Sequence, residues 1–512
     1  VVYENRQTSL KENMKRVHLN IMANYASRLW GIISVFVFVP IYIRLLGIES
    51  YGILGFQTVI LTFLYMADAG LGASFTRETA RSEDKAYLGD LLYSLERVYL
   101  SICTFLIIGM ILLAPVISGH WLRADKIPHA SLTCYIAMIG ICVPLQVFIN
   151  LYSGGLMGLQ KQTTANGLQI SFSMVRSGLV IIPLTLSPNL FTYFSWQIGV
   201  TLLFLCLYRR TTWRAIYSAR KPSFRWPYIR AIAKFSMGMM GMAIISSLNT
   251  QIDKVVVSKM LALKDFAHYA LAAMLAQAPS LMVLPIAVAV LPQLVRLSEK
   301  KSRTELLGVY QTYSFVIAAL ASMIGLLLFF FPFEIVFMWT RNQELAYSIQ
   351  HVVRILALGD VFLSFQVMPY HLAIAHGHNL TSLRLGIVCA ICMVPAMVLC
   401  IHLMGVAGAA FPWLTMNFVG FLVLGFLLMR KFLPGDFWQW FFRTNVVPLV
   451  ICFGLGSFAK MIPVRSPMNR FSGMIIPTIT GLVMVLVLGA VFKLVYLFPG
   501  DCAGMRRKDI NE

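Results

Sequence analysis

The stretch Phe105–Ile117 reads FLIIGMILLAPVI, and Ile475–Val491 reads IIPTITGLVMVLVLGAV. Neither alternates. A strand of a membrane barrel alternates apolar and polar residues over about ten positions, and a surface helix keeps one polar face. A segment apolar all round belongs inside a core or across lipid. Inside lipid every backbone N–H and C=O must be satisfied within its own segment, so such a segment is a helix.

Comparable runs of about twenty residues, enough to cross a hydrocarbon core of about 30 Å, recur along all 512 residues. Apolar residues make up 58% of the chain and charged residues 12%, against roughly 25% charged in a soluble domain. A soluble chain of this length divides into domains with polar surfaces, and nothing here supplies them. The expected fold is an all-α polytopic membrane protein of about fourteen transmembrane helices. Their expected positions are roughly 21–46, 52–72, 96–118, 129–152, 165–187, 190–208, 231–258, 266–292, 308–338, 346–372, 383–403, 406–429, 441–460 and 473–495.

The net charge of +21 follows mainly from the excess of Lys and Arg in cytoplasmic loops. The basic residues sit at helix ends and form no continuous surface for nucleic acid. Lys and Arg in alternate connections differ about threefold. The rich set includes Arg77, Arg81, Arg209, Arg210, Arg214, Arg220, Lys300 and Arg430; the poor set holds little beyond Arg123, Lys126, Lys264, Arg341, Lys460, Arg465 and Arg470. That bias places both termini in the cytoplasm. The first apolar run, from about Ile21, is too long for a cleavable signal peptide. Val1–Asn13 reads as upstream sequence, with Met14 as the natural start. The nine cysteines lie mostly in apolar runs, and Cys389 and Cys392, a CxxC in mid-span without a second pair, read as packing residues. Asn379-Leu380-Thr381 matches a glycosylation sequon but falls in an expected cytoplasmic turn.

An internal repeat divides the chain. The turn Leu45–Gly52 and the turn Met260–Ala270 each place an acid shortly before a tyrosine and then begin a new apolar helix. Tyr152 with Gly158-Leu159-Gln160 matches Tyr370 with Gly377-His378-Asn379, at the same separation of about 218 residues. Parallel repeats are a common transporter design. The expected organisation is an N-lobe over 14–208, a basic cytoplasmic linker over 209–230, a C-lobe over 231–430, and an added helix pair with a tail over 431–512.

These residues also carry a family resemblance. Ile41–Gly55, then Asp68-Ala69-Gly70-Leu71-Gly72 with Arg77, Ala80 and Arg81, resembles the start of Wzx-type polysaccharide (O-antigen) flippases. Gly155–Gln160, Gln251-Ile252-Asp253-Lys254 with Tyr269, Leu291-Pro292 and Trp339 continue the likeness, over roughly 14–430. The resemblance implies the fold of the MATE and lipid-flippase (MOP) superfamily, two six-helix lobes in a V around a central cavity. It also implies translocation of an undecaprenyl-pyrophosphate-linked oligosaccharide, the precursor of lipopolysaccharide O-antigen or a related polysaccharide, from the cytoplasmic to the periplasmic leaflet of the inner membrane. A polysaccharide polymerase and a chain-length regulator are the partners to expect beside the membrane lipid.

Ionisable residues at depth are costly, about 2.5–3.5 kcal/mol each on insertion scales, so they mark candidate sites. Arg28 lies one turn after Asn24 in the first helix, on one face. Arg176 lies in the fifth helix, Lys254 in the seventh and Arg354 in the tenth. Guanidinium groups bind phosphate through two parallel hydrogen bonds, so Arg28, Asn24, Arg176, Lys254 and Arg354 are the candidate substrate-binding residues. For each, snorkelling to the interface or pairing within the protein is the competing structural role. Gln57, Asn150, Gln169, Asn249 and Gln366 suit sugar hydroxyls, and Tyr25, Tyr65 and Trp196 suit stacking. Asp68 and Asp253 are expected to cap helix ends or pair with neighbouring arginines and Asp360 to face the cavity; alternatively any of the three binds a proton or Na⁺ and couples a gradient, and Glu334 lies near a span as well. No cofactor or metal is expected.

Other functions fit less well. A drug or cation exporter on the same fold calls for an acidic site, whereas the residues at depth lean basic. An enzyme of the same pathway calls for a large outer loop with catalytic groups, and no outward connection exceeds about fifteen residues. The nucleotide loop Gly-x-x-x-x-Gly-Lys-Ser/Thr is absent. A scaffold has no reason to keep arginines at depth.

Overall fold

A computed structural model describes residues 30–31, 33–68, 70–217, 220–300, 302–378, 380–462 and 472–493. The described residues are almost entirely helical. The first helices are α1 (Ile33–Leu46), α2 (Ile48–Ala67), α3 (Leu71–Arg81), α4 (Lys85–Val116), α5 (His129–Gly158), α6 (Gln162–Ser173), α7 (Ile181–Leu186), α8 (Leu190–Ala215), α9 (Trp226–Met260) and α10 (Leu263–Ala276). The rest are α11 (Ala278–Glu299), α12 (Arg303–Phe330), α13 (Pro332–Thr340), α14 (Gln343–Phe365), α15 (Val367–Ala375), α16 (Leu380–Gly408), α17 (Ala410–Phe432), α18 (Phe437–Gln439), α19 (Val447–Met461) and α20 (Ser472–Phe492). Widened π-turns lie at Ile117–Trp121, Met174–Gly178 and Trp440–Val446.

Twelve helical segments among the described residues are long and apolar enough to cross a membrane. The expected first and seventh helices fall outside that set. Of the first, the apolar helix within the described residues is α1, which is short. The seventh, α9, has the length, but its second half carries Ser247, Asn249, Thr250, Gln251, Asp253 and Lys254. Large apolar side chains cover the outside of the spans: Phe105 is 76% exposed and Leu486 71%. Exposed apolar surface on this scale has no place in water and fits acyl chains.

Several expected helices are broken or longer. The eighth splits at Gln277 into α10 and α11, the ninth at Phe331 into α12 and α13, and the tenth at Gln366 into α14 and α15. The third begins at Lys85 rather than near 96. Asp84 caps it by accepting from the backbone N–H of Ala86 (2.8 Å) and Tyr87 (3.2 Å), the usual N-terminal role of Asp. Its first turns carry Asp90 and Glu96 on the buried side, so hydropathy alone does not reach them.

The chain forms two compact units, Val1–Ala267 and His268–Glu512. In the first, α3, α4, α5 and α8 enclose Leu71, Phe75, Leu91, Leu95, Tyr99 and Tyr152, and α9 packs against α2, α3 and α4. In the second, α11, α12, α14 and α17 enclose Val283, Leu294, Ala318, Phe365 and Phe421 with Trp440. There α19 and α20 pack on α12 through Leu326, Cys452 and Met484.

Within each unit the connections sort to two ends. In the first unit, Glu49 at the start of α2 accepts from the backbone N–H of Asp125 (2.6 Å) and Lys126 (3.1 Å), and Leu263 donates its N–H to the Arg123 carbonyl at 2.7 Å. The two repeated turns meet at that end. Gly47, at φ 85°, lets the chain turn between α1 and α2. A Cβ on Gly52 would lie 2.7 Å from the Leu263 carbonyl oxygen, so the close approach needs a glycine. At the other end Asp90 meets Ser223 and Arg220 in the segment after α8, and Glu96 meets Arg209 and Trp213 in the last turns of α8 itself. In the second unit Arg303 pairs with Asp436 (3.0 Å) at one end and Lys460 with Glu334 (2.9 Å) at the other.

Candidate functional site

The strongest site in the first unit is built on the π-turn Met174–Gly178. Here the backbone leaves the regular i→i+4 register, and Leu179 donates its N–H to the Met174 carbonyl five residues back at 3.1 Å. Such turns occur often at functional sites. Three successive carbonyls of the turn are taken by side chains of neighbouring helices. Trp196 Nε1 donates to the Val175 carbonyl at 3.0 Å, Gln197 Nε2 to the Arg176 carbonyl at 3.1 Å, and the Tyr42 hydroxyl to the Ser177 carbonyl. The turn is thereby clamped between α1 and α8.

Arg176 is fixed by the same clamp. Its Nε donates to Gln197 Oε1, so Arg176 and Gln197 bond to each other twice. The guanidinium lies over the Phe172 ring, 5.5 Å from its centroid. Among the described residues no carboxylate forms an ion pair with it. Among the described residues its terminal nitrogens form no hydrogen bond. Tyr65, which is 41% exposed, is hydrogen-bonded to Asn150 and lies within electrostatic reach of both Arg176 and Asp68. Asp68 accepts from the Gly72 N–H at 3.2 Å and from the Tyr99 hydroxyl. The fold thus gathers Arg176, Asp68, Tyr65 and Asn150, which are far apart in the chain, into one neighbourhood.

The other candidates are placed differently. Arg28, Asn24 and Tyr25 lie outside the described residues. Lys254 is buried on α9 and donates to Gln251 Oε1 at 3.1 Å; Asp253 is buried beside it. In the second unit Arg354 on α14 has a buried Nε with no hydrogen-bond partner among the described residues. Asp360 on the same helix does not face open space. It is 1% exposed and accepts from the Ser280 N–H (2.9 Å) and hydroxyl (3.1 Å). Glu334 is the ion-pair partner of Lys460.

Several of the amides suited to sugars are committed within the protein. Gln57 is buried against the Cys142 sulfur, Asn249 donates to its own helix at Ile245, and Gln366 donates to the Asn417 carbonyl at 3.0 Å. Trp196 holds the π-turn. Asn150 and Gln169 are exposed. Gln197 and Tyr42, the clamp itself, were not among the sequence candidates. The available signal was a single glutamine in an α8 that is otherwise apolar from Phe194 to Val200 except for Ser195. Among the described residues no group of three or more His, Cys, Asp and Glu side chains is placed to hold a metal ion, and the described cysteines are free.

A family profile described as polysaccharide biosynthesis protein matches residues 17–298. No curated protein sequence matches. Among solved structures, the lipid II flippase MurJ in an inward closed conformation aligns with a TM-score of 0.72 at 15% identity, over 93% of this chain and 98% of that one. An inward-facing multidrug resistance transporter of the MATE family, in the MOP superfamily, aligns with a TM-score of 0.64 at 17% identity, over 79% and 94%. A MATE multidrug transporter, DinF-BH, in complex with R6G aligns at 0.55 and 14% identity, over 80% and 95%. At these identities the likeness is one of fold.

Proposed function

This chain belongs to the polysaccharide biosynthesis protein family, and from that membership we propose that it is a flippase for a lipid-linked oligosaccharide. The substrate we propose is an undecaprenyl-pyrophosphate-linked repeat unit of the O-antigen type, moved from the cytoplasmic to the periplasmic leaflet of a bacterial inner membrane by alternating access. The observation that carries this reading is Arg176: a guanidinium within a membrane span, oriented by Gln197 and Phe172 and met by no carboxylate among the described residues. A pyrophosphate supplies the charge and the paired acceptor oxygens that such a group binds. An organic cation does not.

On this reading the lobes are 14–208 and 231–430, joined by the basic linker 209–230 and followed by the added segment 431–512, with both termini cytoplasmic. Arg28, Asn24, Arg176, Lys254 and Arg354 are the residues proposed to bind the substrate. Asp360, Asp68 and Asp253 are the groups through which a proton or Na⁺ gradient drives the change of state. Substrate passes onward to a polymerase acting with a chain-length regulator.

The test is complementation of a strain lacking its polysaccharide flippase, at matched membrane levels. Wild type restores surface polysaccharide, and Arg176→Ala and Arg28→Ala do not, while Arg28→Lys restores part of it. Restoration by wild type and both alanine variants alike removes the arginines from the site. No restoration in several acceptor strains, with drug efflux by the same membranes, establishes the exporter reading in its place.

A further inference from the structure

A cavity of about 610 Å³ lies in the first unit, between the first turns of α4 and the last turn of α8, closed by the segment that follows α8. Four arginines line it, Arg209, Arg210, Arg214 and Arg220, against one lining carboxylate, Asp90. Two of the four are anchored. Arg209 pairs with Glu96 at 3.0 Å, and Arg220 pairs with Asp90, which Arg225 shares. Arg210 and Arg214 are exposed and form no ion pair among the described residues. They stand one turn apart on one face of α8.

That face continues away from the cavity through Leu207 and Leu203, which are 39% and 55% exposed. One stripe of α8 therefore passes from exposed leucines, where acyl chains lie, to two unpaired arginines at the rim of a cavity. Opposite, Gly89 of α4 is buried, yet a Cβ built on it meets no atom within 4 Å. The α4 wall is open because that residue has no side chain.

We propose that this cavity is a binding site for the phosphate headgroup of an anionic phospholipid, whose acyl chains run along Leu207 and Leu203. The shared chemistry is a phosphate anion bound by two guanidiniums, and basic pockets at helix ends are suited to lipid headgroups. The adjoining leucine stripe favours a lipid over free phosphate. Which leaflet supplies the lipid follows from the orientation proposed above, but the binding itself does not.

The experiment is native mass spectrometry of the full chain purified in detergent, titrated with phosphatidylglycerol and in parallel with phosphatidylethanolamine, a polyprenyl diphosphate and inorganic phosphate. Wild type is expected to bind phosphatidylglycerol in preference to phosphatidylethanolamine. R210Q/R214Q should weaken phosphatidylglycerol by about thirtyfold, two arginines at the ordinary strength of a basic residue near an anionic surface. Neither arginine has an ion pair to lose, so the double variant keeps its fold. Gly89→Phe fills the cavity from the opposite wall and abolishes the same binding with both arginines in place. Equal phosphatidylglycerol binding by wild type and R210Q/R214Q overturns the proposal. So does a site that takes inorganic phosphate or the polyprenyl diphosphate through Arg210 and Arg214 but shows no preference for phosphatidylglycerol. Binding is read without transport, so failure here leaves the flippase reading standing, and a failed complementation leaves this site standing.

Discussion

Substituting Gln197 separates the clamp from the charge it presents. The side chain is 1% exposed and makes two bonds to one residue, accepting from Arg176 Nε and donating to the Arg176 carbonyl. Gln197→Leu keeps the volume and loses both. Interhelical side-chain hydrogen bonds in membranes are worth about 0.6 kcal/mol on average and about 1.7 at most, so two cost about 1–3 kcal/mol. Arg176 keeps its charge but is free to turn, and a site that depends on orientation slows by at least about tenfold, the effect of about 1.4 kcal/mol in the productive geometry. Gln197→Glu does the reverse. It gives up the bond to the carbonyl but converts the other into an ion pair, so stability should stay within about 1 kcal/mol of wild type. Its carboxylate cancels the guanidinium charge, and transport should stop. The assay is denaturant unfolding of the purified protein, alongside surface polysaccharide restored at matched levels. Full transport by the glutamate variant would refute the reasoning, because it would mean that the Arg176 charge need not be open to an anion.

Three further outcomes follow from contacts elsewhere in the fold. Glu96 accepts from Tyr152 Oη and Trp213 Nε1, both at 2.7 Å, and from the largely exposed Arg209. Glu96→Leu strands the two neutral donors and should cost about 2–4 kcal/mol, and adding Tyr152→Phe should recover part of that in the same unfolding assay. Gly52→Val drives a branched side chain into the Leu263 backbone and should destabilise by about 1–3 kcal/mol, read as a lower unfolding temperature; an unchanged temperature means the two turns are not in contact. Asp360→Asn keeps an acceptor for Ser280 and should fold normally while losing gradient-driven transport in vesicles; undiminished transport removes Asp360 from coupling.

The fold was legible wherever a segment was apolar on every face, because such a segment has one stable answer in lipid. Legibility failed where a helix carries charge that a tertiary contact satisfies. Asp90 looks like a loop residue in a hydropathy reading and Glu96 like a helix end, yet both are buried by partners more than 110 residues away, Ser223 in the segment after α8 and Arg209 on α8. The breaks at Gln277, Phe331 and Gln366 were also hidden, since the residues on either side continue the apolar pattern. Arg176 stood out because a charge at depth is expensive. Gln197 did not, because an uncharged amide costs less and its value lies in a neighbour that only folding supplies.

That difference explains why an arginine is kept in the fifth span. On insertion scales it costs about 2.5–3.5 kcal/mol at a helix centre. The protein offers Arg176 a cation–π contact with Phe172, worth about 0.5–2 kcal/mol, and one interhelical bond from Gln197 of about 0.6–1.7 kcal/mol. Those terms offset the cost without exceeding it by any margin, and they engage the ring face and Nε rather than the terminal nitrogens. A carboxylate on α8 in place of Gln197 would pair with the same cation at little net change in stability and leave it unable to bind anything else. The amide at that position leaves the guanidinium oriented and charged, the state that the anion-carrying transporter proposed above would require before its substrate arrives.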